Sequence, residues 1–156
     1  KGVKSLQSHR VASWLWENSR HTLAHYFQSR TSEVYGVDIH PAAKLGKGIM
    51  IDHGTGVVIG ETSVIEDNVS IFQGVTLGGT GKETGDRHPK VKEGVLLSAS
   101  STVLGNVQIG RNAKIAAGSV VLENVREGAT VAGVPAKEVG QAADSVPADE
   151  IDHLIE

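Results

Sequence analysis

Two short segments hold the side chains best suited to chemistry. The first carries Asp38 and His40, then Asp52 and His53. Asp38 precedes His53 by 15 residues. In a chain that winds with a period close to that length, the two can sit on neighbouring rungs near one edge, a spacing that permits a hydrogen bond. A carboxylate on one imidazole nitrogen fixes the tautomer and supports the positive charge that develops when the other nitrogen takes a proton. An imidazole with the ordinary pKa of about 6.5 is matched to general-base work near neutral pH. The second segment is GGTGKETGDRHPK, Gly78 to Lys90, which brings Asp86, Arg87 and His88 together ahead of Pro89. The planar fork of Arg87 fits a carboxylate, and His88 beside it can stabilise a developing oxyanion. Taken alone, this stretch reads equally well as a solvated surface loop. Its Gly-Gly-Thr-Gly run lacks the Gly-Lys-Ser/Thr ending and following helix of a phosphate loop. His21 and His25 lie four apart on a predicted helix, a metal-binding spacing, but no third ligand accompanies them, so a surface pair is the stronger reading.

The elements that must position these groups show in the repeat. From residue 37 an aliphatic residue recurs every six positions: Ile39, Leu45, Ile51 and Val57, then Ile59, Ile65, Ile71 and Leu77, then Val91, Leu97, Val103, Ile109, Ile115 and Val121. A second small or aliphatic residue follows four positions later, as at Ala43, Ile49, Val69, Val75, Val95, Val107, Ala113 and Ser119. This is neither the three-and-four spacing of a helix nor the alternation of an ordinary strand. Six residues make one short strand and one turn, and three such units close a triangular coil of 18 residues, stacked at about 4.8 Å. The expectation is a mainly β fold, a parallel β-helix of hexapeptide repeats, with capped ends. Residues 3–32 carry apolar residues at helical spacing, with Ser19 placed to cap a second helix. The predicted domains are a helical cap over 1–36, the β-helix over 37–138 with its loop at 78–90, and a polar C-terminal tail over 139–156 that ends in a weak helix.

Composition narrows the function. There are 19 glycines but only 4% aromatic residues, as tight, repeated layers require. Net charge is −3, without the basic footprint of a nucleic-acid binder. No apolar stretch approaches the roughly 20 residues of a membrane span, and no secretory signal is visible. Without cysteine there is no disulfide, thiolate metal site or thiol nucleophile, which is compatible with a cytoplasmic setting.

The repeat resembles the hexapeptide-repeat acyltransferases. Three runs narrow the resemblance to serine O-acetyltransferase: VDIHPAAKLGKGIMIDHGTGVVIGE (37–61), VTLGGTGKETGDRHPK (75–90) and AGSVVLENVREGATVAGVPAK (117–137). It covers roughly residues 1–138, and it implies a left-handed parallel β-helix that moves an acetyl group from acetyl-coenzyme A to the hydroxyl of L-serine, giving O-acetylserine for cysteine biosynthesis. By position it makes His53 the general base, Asp38 the acid that orients it, and Asp52 a contact for the serine amino group. Arg87 and His88 hold the serine carboxylate and polarise the site. Gly79, Ala99, Ala117 and Lys137 line or approach the coenzyme A groove between neighbouring subunits. No metal is required, because the thioester is already activated. The resemblance further implies a homotrimer, a hexamer where the full helical domain is present, and feedback inhibition by cysteine. Its departures are Ser98, Ser100 and Ser101, where the family prefers Gly and Ala, and a final Glu156 after Ile155, where a terminal Ile docks on O-acetylserine sulfhydrylase. The remaining alternatives are an acetyltransferase with a sugar or antibiotic acceptor, a β-helical metal hydrolase using His40, His53 and His88, and a non-catalytic assembly module.

Overall fold

A computed structural model describes residues 1–82 and 84–141. Helix α1 (Gly2–Glu17) and helix α2 (His21–Tyr35) precede a solenoid of short strands. The first coil is β1 (Val37–Ile39), β2 (Lys44–Leu45) and β3 (Met50–Ile51), and the second is β4 (Val57–Ile59), β5 (Val64–Ile65) and β6 (Ser70–Ile71). The third is β7 (Thr76–Gly78), β8 (Lys90–Val91) and β9 (Leu96–Leu97), and the fourth is β10 (Thr102–Leu104), β11 (Gln108–Ile109) and β12 (Lys114–Ile115). The solenoid closes with β13 (Val120–Val121), β14 (Ala129–Gly133) and β15 (Ala136–Gln141). Strands pair in parallel between coils, so the molecule has three flat faces: β1-β4-β7-β10-β13, β2-β5-β8-β11, and a third on which β3-β6-β9-β12-β14 ends in antiparallel β15.

Register explains the period. Ile39, Ile59, Leu77, Val103 and Val121 stack down the first face, Leu45, Ile65, Val91 and Ile109 down the second, and Ile51, Ile71, Leu97, Ile115 and Val131 down the third. All are buried except Leu45, which is partly covered. Aliphatic side chains of equal reach fill such a narrow prism without voids, whereas an aromatic ring would overpack it. Among the described residues two places lengthen the six-residue step, and one, Val121 to Val125, shortens it to four. Ile51 to Ile59 spans eight residues, and Leu77 to Val91 spans fourteen. The first lengthened corner contains Asp52 and His53, and the second contains Asp86, Arg87 and His88.

The open edge of the first coil is covered by the helices. Leu6 of α1 joins the solenoid core. A Cβ on Gly2 would stand 2.0 Å from the Ile51 carbonyl oxygen, so only glycine lets α1 lie this close to the β3 backbone. Ser19 does not cap α2: the N-cap is Arg20, without a side-chain bond, and Ser19 takes φ 60° in the tight link between the helices. At the far end β15 folds back on β14. Residues 139–141, assigned from the sequence to the tail, therefore finish this strand. The expected weak helix and the Ile155–Glu156 ending lie outside the described residues.

His9 ties the cap to the solenoid. It is 5% exposed and its Nδ1 has no partner. Burial, with smaller contributions from Arg10 and His40 and against an opposing hydrogen bond with the Ala43 backbone, pushes its pKa down to about 4. The folded state thus holds His9 neutral while the unfolded chain takes up a proton below about 6.5. Its contribution is complete above that pH and is lost as pH falls toward 4. Between pH 7.5 and 5 this group alone removes about 2 kcal/mol of stability. In urea unfolding, His9→Gln should reduce the difference in stability between those pH values by that amount. An undiminished difference would acquit His9.

Candidate active site

The face β1-β4-β7-β10-β13 has two edges, and the chemistry divides between them. One edge is the corner leading into the face: residues 52–56 in the first coil, then 72–75, 98–101 and 116–119. It carries Asp52, His53, Ala99 and Ala117. The other edge is the corner leading out of it: residues 40–43, 60–63 and the 79–89 loop. It carries His40, Glu61, Thr62, Gly79, Arg87 and His88. Asp38 sits between the edges, at the middle of β1 and opposite Val58. Lys137 lies on β15 at the far end, lining a cleft of about 300 Å³ with Arg126 and Glu138.

At the outgoing edge the long loop folds back one coil. The Thr62 hydroxyl accepts the backbone N–H groups of Arg87 and His88, each at 3.0 Å, and lies 2.9 Å from His88 Nδ1. The Thr62 backbone N–H also donates to that Nδ1 at 3.2 Å. His88 consequently lies buried against Gly60, where a Cβ would fall 2.0 Å from its Cδ2 and 2.1 Å from its Nε2. Burial, then the nearby Arg87 guanidinium, holds its pKa below the usual imidazole range. Arg87 donates from Nη2 to Glu61 at 2.8 Å and from Nη1 to the Gly85 carbonyl at 3.1 Å. The Arg87 bond holds Glu61 below the usual carboxylate range. Lys90 pins the loop through Asp86 at 2.6 Å, and that contact lowers the Asp86 pKa. His40 accepts the Ala42 N–H at Nδ1, and its ring packs edge-on to Trp16 of α1 and His25 of α2. Burial lowers its pKa, against the opposing charge of Glu61.

The incoming edge is more open. His53 is exposed, with φ 56°, a left-handed conformation uncommon outside glycine and stored where surrounding structure imposes it. Asp52 imposes it here: its Oδ1 accepts the His53 N–H at 2.8 Å, and its Oδ2 lies 3.7 Å from His53 Nε2. Asp38 does not meet His53 among the described residues. It accepts instead from Gln28 Nε2 at 2.7 Å, because α2 lies along β1 and claims that face. Within one chain His53 and the Arg87–His88 pair therefore stand at opposite edges. They share a level, since His53 leads into the second coil and His88 is held on it by Gly60 and Thr62. Ser101 does not line a groove: it is fully buried, with its hydroxyl unpartnered, while Ser100 is exposed on the corner. Among the described residues no three or more His, Cys, Asp and Glu side chains converge as a metal site, and no helix is long and apolar enough to cross a membrane.

Known proteins are similar to this chain in sequence and fold. Residues 88–123 match the family model of the bacterial transferase hexapeptide (six repeats). The chain is 59% identical over 148 residues to the serine acetyltransferase of Haemophilus influenzae, covering 95% of this chain and 55% of that one. The chain is thus similar to a serine acetyltransferase over nearly its whole length. The crystal structure of serine acetyltransferase in complex with coenzyme A from Brucella abortus strain S19 superposes with a TM-score of 0.90 at 56% identity, over 91% of this chain and 57% of that one. A serine acetyltransferase in complex with cysteine gives 0.91 at 57% identity, over 97% and 59%. The chain thus spans just over half the length of these relatives.

Sequence reasoning missed four residues of the site. Gly60 and Thr62 look like ordinary corner residues, and only the loop's return makes them the seat of His88. Glu61 and Gln28 lie 26 and 10 residues from the side chains they hold, at spacings that no local pattern marks.

Proposed function

We propose that the chain transfers the acetyl group of acetyl-coenzyme A to the hydroxyl of L-serine, in a site shared between neighbouring copies of a homotrimer. The observation that carries this is the placement of the two lengthened corners, among the described residues, at opposite edges of one face, with the 79–89 loop folded back so that His88 lies at the level of His53. A three-fold axis parallel to the solenoid keeps height unchanged and sets the incoming edge of one subunit against the outgoing edge of the next. His53 then faces the Arg87 and His88 of its neighbour. Ala99 and Ala117 continue the His53 edge and Gly79 the Arg87 edge, which makes the cleft between subunits the groove for the coenzyme, with Lys137 toward its far end.

In that site Arg87 holds the serine carboxylate through the N–H groups that Glu61 and Gly85 leave free. His53 takes the proton of the serine hydroxyl as its oxygen attacks the thioester carbonyl. His88 stabilises the oxyanion of the tetrahedral adduct. The adduct collapses with loss of the coenzyme A thiolate, which recovers the proton from His53. The family resemblance assigns the orienting acid to Asp38 and the serine amino contact to Asp52, while the carboxylate nearest the His53 ring in the free chain is Asp52. The cysteine-bound relative supports cysteine as a competitor at the serine position.

A thiol-release assay with serine, homoserine and a galactoside tests the reading. Serine should be the preferred acceptor, and Arg87→Ala should raise its KM at least about tenfold, since a charge-assisted bidentate contact is lost. Turnover confined to the galactoside would remove the assignment.

A further inference from the structure

We propose that Thr62 is the positioning residue that sets the tautomer of His88, so that a proton-bearing Nε2 faces the acyl carbonyl oxygen. The inference rests on the acetyl-transfer reading and deepens it.

The argument is one of hydrogen-bond inventory. A backbone N–H can only donate, so His88 Nδ1, which receives the Thr62 N–H at 3.2 Å, acts as an acceptor and carries no proton. The proton of the neutral ring is therefore on Nε2. The Thr62 hydroxyl completes the arrangement. Its oxygen already accepts from the Arg87 and His88 N–H groups, which leaves its own proton to give, and Nδ1 stands 2.9 Å away. Asp86 also draws on this hydroxyl, and its carboxylate can accept it together with Lys90, which it meets at 2.6 Å; the hydroxyl proton thus has two acceptors, whereas the Thr62 backbone N–H is committed to Nδ1. One threonine thus anchors the loop backbone at two points and presents two donors to the imidazole's only acceptor. His88 Nε2, by contrast, has no hydrogen-bond partner among the described residues, and the missing side chain of Gly60 lets that ring edge lie flush with the second coil. A neutral donor fixed beforehand costs no reorganisation as charge develops, the condition under which such groups are most effective. The low pKa of His88 agrees, since burial and Arg87 both disfavour a second proton.

Serine at position 62 keeps the hydroxyl, and valine keeps the shape and the backbone N–H but removes it. Nitrogen-15 NMR of the histidine-labelled full chain, assigned with His88→Gln, should show a pyridine-type Nδ1 and a pyrrole-type Nε2 for His88 near neutral pH. Thr62→Ser should keep that pattern and retain turnover within about threefold. Thr62→Val, which keeps the backbone donor to Nδ1 but loses the hydroxyl, should raise the other tautomer to a detectable minor fraction and lower kcat about 10- to 100-fold, more than it raises the KM for serine. A pyrrole-type Nδ1 in the unaltered protein, or an unchanged pattern and kcat in Thr62→Val, would overturn the role of Thr62. The spectrum is read without turnover, so a protein that shows the Thr62-dependent tautomer but transfers no acetyl group overturns the activity and leaves the tautomer assignment standing.

Discussion

His53→Ala should lower the turnover of acetyl transfer at least about 100-fold, the usual range for removing a general base. The structural cost should be small, because His53 is exposed and its side chain supports no core contact. The replacement also relieves nothing in the fold: the strained backbone at φ 56° is held by the Asp52 bond to the N–H, which alanine retains. Unfolding free energy should therefore shift by no more than about 1 kcal/mol, as is usual for surface positions. Loss of rate without loss of fold separates the enzyme from an assembly module, for which turnover would be absent in both proteins. The shared site makes a sharper demand. Variants His53→Ala and His88→Ala, each inactive alone, are mixed, unfolded and refolded together. Every mixed trimer then has one interface at which an intact His53 meets an intact His88, and equal mixing should restore about a quarter of the original activity. A site contained in one chain would give no such recovery, since every chain would lack one of the two groups.

Gly60→Ala should be nearly as damaging, although glycine itself carries no titratable group. Its Cβ would fall 2.0 Å from His88 Cδ2, well inside contact distance. The Gly60 backbone is fixed by its bonds to Leu77 and Ser63, so the ring must give way rather than the coil. Once displaced, His88 loses its two Thr62 donors and its aim. The kcat should fall about 100-fold, to the level of His88→Ala, with a stability loss of about 1–3 kcal/mol for overpacking. The double variant Gly60→Ala with His88→Ala should be no slower than either single one, because both remove the same function. Additive losses would mean that Gly60 acts through something other than His88.

Much of this architecture is legible in the residue order because a solenoid is a local fold. Each inward aliphatic recurs at a step set by one strand and one corner, so Ile59, Ile65 and Ile71 announce three faces before any contact is known. The lengthened corners are legible for the same reason: against a strict period, the extra residues around His53 and the excursion carrying Arg87 and His88 stand out. Where no period applied, the reading failed. Ser19 has the chemistry of a helix cap but lies in a link too tight for it. Ser101, by contrast, named only as a departure from the family, lies four residues after Leu97, an inward place that the repeat itself marks, as the buried Ser63 and Ser119 in equivalent positions show. The strand β15 has no repeat to betray it, because it pairs antiparallel and outside the winding.

Asp38 and His53 mark the boundary between the two kinds of information. Residue types and periodic spacing determined the stacked coils, their aliphatic columns and the two corners where acid, imidazole and guanidinium groups are carried, since these follow from strand length and side-chain size along the chain. Tertiary structure alone decided which groups meet. It gave Asp38 to Gln28, gave His53 to Asp52, folded the loop back so that Thr62 and Gly60 seat His88, and put His53 and Arg87 on separate edges. Those pairings depend on how a helix lies against a face and how far a loop returns, and neither distance is written in the spacing of residues.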